Sequence, residues 1–88
     1  MIKQGTRKSL RTAGTLLLVN RESGGWDEHG NYHSYVIGGD YLMVLAAHDR
    51  GKVETVNIAT GQRLWMWRTW LVKYTSLAFD ARDLVDAD

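Results

Sequence analysis

The chain has 88 residues, no cysteine, 44% hydrophobic residues and a formal net charge of +1. That length suits one domain with a single modest core, and the composition excludes global disorder. The lack of cysteine excludes thiolate zinc sites, cysteine nucleophiles and a disulfide framework, and points to a reducing, cytoplasmic setting.

In chain order, residues 1–13 are polar and basic. They carry Lys3, Arg7, Lys8 and Arg11 without an acid, and are expected to form a flexible arm, with a short strand near residues 8–11. Gly14 punctuates, and residues 15–21 read as a first strand. Residues 22–31 read as a loop, with Ser23-Gly24-Gly25 before Trp26 and Asp27-Glu28-His29-Gly30-Asn31 after it. Residues 32–37 read as a second strand or an ordered loop limb, ended by Gly38-Gly39. Residues 40–48 are the clearest strand. Apolar side chains fall on both parities (Tyr41, Met43, Leu45 and Leu42, Val44, Ala46), so both faces should be covered.

Residues 49–52 read as a turn. In the strand that follows, Val53, Thr55 and Asn57 share one face, and Glu54, Val56 and Ile58 the other. Thr60-Gly61 closes a hairpin onto residues 62–68. There Leu64 and Met66 take one face and Arg63, Trp65 and Trp67 the other; parity alone leaves open which pair of faces meets the core. A helical turn over residues 69–72, a last strand over 73–79 and an acidic tail over 80–88 complete the chain. The longest apolar runs, residues 16–19 and 41–47, are far too short to cross a bilayer, and the basic start lacks the apolar stretch of a signal peptide.

Gly39-Asp40-Tyr41-Leu42-Met43-Val44-Leu45, a short turn, and a Thr60-Gly61 hairpin leading to Trp65 follow one another in a set order. A first strand precedes them, and a helical turn and final strand follow. Over residues 14–79 this order resembles the SH3-like small β-barrel of the bacterial and phage type. The resemblance implies an all-β barrel of about five antiparallel strands. It also implies a binding module without catalysis, in the setting of a phage or mobile-element accessory protein. The proline after the Trp strand and the Ala-Leu-Tyr-Asp-Tyr strand of eukaryotic SH3 domains are missing, so polyproline recognition does not carry over.

The candidate binding residues are Trp65, Trp67, Trp70, Tyr74, Arg63 and Arg68. Aromatic side chains interleaved with cations suit a protein interface or self-association, the leading expectation. They also suit base stacking with phosphate contact. The alternative expectation is therefore a nucleic-acid-binding protein that adds Lys3, Arg7, Lys8, Arg11 and Lys73. Asp27, Glu28, His29 and His33 lie within seven residues, but in a Gly-rich loop rather than at metal-ligand spacing, so a polar loop is expected and no metal or cofactor. No phosphate-cradling loop or nucleophile elbow is present, and no enzyme is expected.

Overall fold

The computed structural model describes residues 8–27, 29–36 and 38–82. Its strands are β1 (Leu16–Val19), β2 (Ser23–Trp26), β3 (Tyr32–Val36), β4 (Tyr41–Ala47), β5 (Lys52–Asn57), β6 (Arg63–Trp67) and β7 (Thr75–Phe79). An α-helix, α1 (Arg68–Tyr74), joins β6 to β7, and 3-10 turns lie at Ser9–Arg11 and Asp49–Gly51. The strands form one seven-stranded sheet in the order β3-β2-β6-β5-β4-β1-β7, with every pairing antiparallel.

Alternation builds the core. Leu17 and Val19 of β1, Leu42 and Val44 of β4, Val53 of β5, and Leu64 and Met66 of β6 point to one face and are at most 2% exposed. The helical pieces cover that face. Leu10 from the first 3-10 turn and Leu71 from α1 are fully buried in the same cluster, with Trp70, Val72 and Leu77 packed at its margin. Each such side chain contributes about 1.5–3 kcal/mol of apolar burial.

Buried polar groups on this face are bonded. Thr55 Oγ1 donates to the Leu64 carbonyl at 3.0 Å. The Asn57 amide donates to Asp40 Oδ2 at 3.1 Å and accepts from the Ala59 N–H at 2.9 Å. Thr15 Oγ1 accepts from the Ala81 N–H at 3.1 Å. All but the local Asn57–Ala59 bond join segments distant in sequence, which suits groups that would cost about 1–3 kcal/mol if left unpaired.

This architecture corrects the expected fold. The sheet is open, with β3 and β7 as its two edges and no pairing between them, so it is not an SH3-like barrel. The helical pieces supply part of the core, so the fold is mixed rather than all-β. Closing a barrel requires matched tilt and stagger all the way round. Here the β2–β3 hairpin lies beyond β6 and is joined to it by a single registered pair, Trp26 with Trp65. Irregularities interrupt the register of β1 with β7, β2 with β3 and β4 with β5. With the barrel goes the role it implied: the protein-binding or self-associating module, its phage setting and the nucleic-acid alternative have no support in this structure.

Two local expectations also change. The short strand expected near residues 8–11 is a 3-10 turn that buries Ser9 and Leu10. The loop expected over residues 22–31 contains β2. The second face of β4 is only partly covered: Tyr41 is exposed and Met43, Leu45 and Ala46 are half-buried. Lys3, Arg7 and Glu28, and residues 83–88 of the acidic tail, lie outside the described residues.

Candidate functional site

The outer face of β3, β2, β6 and β5 carries a row of aromatic side chains. Register sets the row. Tyr32 lies opposite Trp26, Trp26 opposite Trp65, and Trp65 opposite Glu54; in the neighbouring row Trp67 lies opposite Lys52. Directly opposed residues share a face, so this register puts the rings side by side above the sheet.

The rings stand edge to face. Trp26 meets Tyr32 with centroids 5.5 Å apart at 71°, and Trp67 at 6.1 Å and 74°. T-shaped pairs of this kind place one ring's positive edge on the other's negative face. The three rings, with Gly24, Met66 and Trp70, line a cleft of about 180 Å³. No lining residue carries a formal charge. Tyr32 and Trp67 remain 59% and 41% exposed, so part of each side chain is accessible to a ligand. The Lys52 ammonium sits 5.5 Å from the Trp67 centroid, a cation–π contact within the chain itself.

Glycines bring β2 close enough to make the cleft. A Cβ at Gly25 would stand 3.0 Å from Met66 Cγ and 3.1 Å from Leu64 Cβ, so only glycine lets β2 lie this near β6. The turn that returns the chain from Trp26 to Tyr32 is fixed by Asp27. Its Oδ1 accepts from the His29 and Asn31 N–H groups at 2.9 and 2.8 Å.

The sequence-predicted residues fall into three groups. Trp65, Trp67 and Arg63 do share the outer face, and Leu64 and Met66 are the core-facing pair. Trp65 lies near His48, ring centroids 6.4 Å apart, and Glu54 takes His48 Nε2 at 2.9 Å and the Arg63 guanidinium at 3.7 Å. Trp70 and Tyr74 stand on α1, one turn apart and 5.4 Å between centroids, with Arg21 and Lys73 each over the Tyr74 ring at 5.2 and 5.4 Å. Trp70 reaches the cleft; Tyr74 does not line it. Arg68 and Arg11 line a different hollow beside the Asp49–Gly51 turn, and Lys8 is exposed.

Trp26 and Tyr32, two of the three rings, were not among the candidates. The signal was present as Trp-Asp-x-x-Gly-Asn-Tyr, an Asp and a Gly at turn positions flanked by large aromatics, which is hairpin chemistry. Among the described residues no three His, Asp or Glu side chains gather as a metal site, and no helix is long and apolar enough to cross a membrane.

No protein-family model matches the chain, and neither a curated protein nor a solved structure matches it significantly.

Proposed function

We propose that the cleft bounded by Trp26, Tyr32 and Trp67 binds a small alkylated ammonium group, and that the protein is a non-catalytic receptor for a ligand carrying one. The observation that supports this is the near-perpendicular arrangement of part-exposed rings around a hollow without charged lining residues. Aromatic faces attract weakly hydrated cations, and quaternary ammonium recognition uses such walls. The cation already resting on Trp67 is an internal instance of the same attraction. A volume of about 180 Å³ suits a headgroup rather than a drug-sized molecule. Apart from the Tyr32 hydroxyl the lining offers no general acid, base or nucleophile, which supports binding without chemistry.

The test compares choline with its neutral isostere 3,3-dimethylbutan-1-ol by tryptophan fluorescence. Cation–π attraction of about 1–2 kcal/mol makes choline roughly 5- to 30-fold tighter, and Trp67→Ala abolishes the difference. Equal binding of the two would make the cleft a plain apolar hollow and overturn the reading. So would a fluorescence response found only with an oligonucleotide, or only on formation of a defined oligomer.

A further inference from the structure

A second concave surface lies where the Asp49–Gly51 turn meets the end of the first 3-10 turn and the start of α1. It encloses about 240 Å³ and is lined by Arg11, His48, Asp49, Arg50, Lys52 and Arg68 among others. Three of its arginines come from positions 11, 50 and 68, brought together only by the fold. Among the described residues none of the three has an ion-pair partner. The other groups are engaged or opposed. The His48 ring bonds Glu54, the Lys52 ammonium sits over Trp67, and Asp49 is the carboxylate in the lining. Guanidinium groups that line one hollow from three segments present like charge to the same space, which favours an anion there.

The backbone adds an independent sign. Arg50 has φ 64 and ψ 27, Gly51 has φ 76, and the Lys52 N–H bonds the Asp49 carbonyl. These are the angles of a type I′ turn, whose first central position favours Asn, Asp or Gly. A side chain with a Cβ is disfavoured in that left-handed region. Arginine stands there instead, and its side chain lines the hollow. Strain of this kind collects where a side chain is needed for function.

We propose that this arginine-lined hollow binds a small, multiply charged phosphate or diphosphate group, with Arg50 held in the left-handed conformation to reach it. Guanidinium groups present paired N–H donors that match phosphate oxygens two at a time. The volume suits a free anion or the phosphate end of a small metabolite.

The test follows melting temperature and calorimetric binding with sodium pyrophosphate and inorganic phosphate, with sodium chloride holding the ionic strength constant. Pyrophosphate is expected to raise the melting temperature beyond the chloride control. Arg50→Gly is expected to melt higher than the parent without ligand, because it relieves the turn, yet to bind pyrophosphate at least tenfold more weakly. Arg68→Ala weakens binding similarly, Arg50→Lys restores only part of it, and Tyr32→Ala, in the cleft and away from this hollow, leaves it unchanged, which separates this site from the aromatic cleft. The proposal is overturned by a pyrophosphate effect no larger than that of chloride, by affinity that survives Arg50→Gly, or by citrate binding as tightly as pyrophosphate. Binding seen with single-stranded DNA but not with pyrophosphate overturns it too.

Discussion

The two faces of the β5–β6 hairpin are made by the same strands, from alternate residues, and they behave oppositely. On the inner face Val53, Thr55, Leu64 and Met66 are buried and the Thr55 hydroxyl is bonded. On the outer face Lys52, Glu54, Trp65 and Trp67 are exposed or half-buried and meet one another through rings and charges. The inner residues are held by volume: each fills space that nothing else fills. The outer residues are held by direction, since a ring edge or a cation works only at one orientation. A face of the first kind stabilises the fold, and a face of the second kind is arranged to meet a ligand.

The sharpest way to break this contrast is to truncate one residue on each face. Leu64→Ala leaves a cavity at a fully buried site and should cost about 2–5 kcal/mol, read as a loss of urea midpoint with unchanged slope. Trp67→Ala removes a larger side chain from the outer face of the same strand and should cost less, about 1–3 kcal/mol, because the ring is 41% exposed and loses only partial burial together with its ring contacts. If Trp67→Ala costs more than Leu64→Ala, the outer rings are a second core and the distinction fails.

Gly25 lies where the two faces depend on each other. A methyl group there meets Met66 Cγ at 3.0 Å, Leu64 Cβ at 3.1 Å and the Trp65 carbonyl at 3.3 Å. Gly25→Ala should therefore push β2 off β6 at a cost of about 1–3 kcal/mol, and it should also weaken the Trp26–Trp67 contact. Far-ultraviolet circular dichroism on melting reads the first effect and tryptophan fluorescence the second. A change in stability with no change in fluorescence would show that β2 shifts without moving the cleft. Asn57→Ala, which removes both the bond to Asp40 and the one to the Ala59 N–H, should cost a similar 1–3 kcal/mol without touching the rings.

Much of the strand pattern was legible because it rests on local chemistry. The parity of residues 53–57 and 63–67 grouped the side chains of β5 and β6 by face, without saying which face meets the core, and Gly61, at φ 73, closes their hairpin as its type suggested. The openness of the sheet was not legible. Whether edge strands meet depends on tilt and register summed over seven strands, and short apolar runs carry no record of either. Leu10 was lost among the cations around it, since one apolar residue in a basic segment has no period to reveal it. Trp26 was lost because Gly24-Gly25 reads as loop chemistry, whereas here the glycines permit close strand approach. The same failure divided the candidate site. Trp65, Trp67, Trp70 and Tyr74 are neighbours in sequence, but α1 begins at Arg68, so Trp70 reaches the cleft from the helix and Tyr74 does not line it.

The smallest effect concerns Lys52, whose ammonium lies over the Trp67 ring. Lys52→Met keeps the apolar stem and removes the charge, so stability should fall by no more than about 1 kcal/mol, the value of an exposed cation–π contact. Its effect on ligand binding has a definite sign. A cationic ligand in the cleft is repelled by Lys52 across water-exposed space, which at roughly 6–10 Å costs about 0.4–0.7 kcal/mol. Removing the charge should tighten choline about two- to threefold and leave the neutral isostere unchanged. The gain should shrink as salt is raised, because a Debye length of about 3 Å at 1 M screens the repulsion. Weaker choline binding in Lys52→Met would reverse this sign and make Lys52 a positioning residue that holds the Trp67 ring at its angle to Trp26.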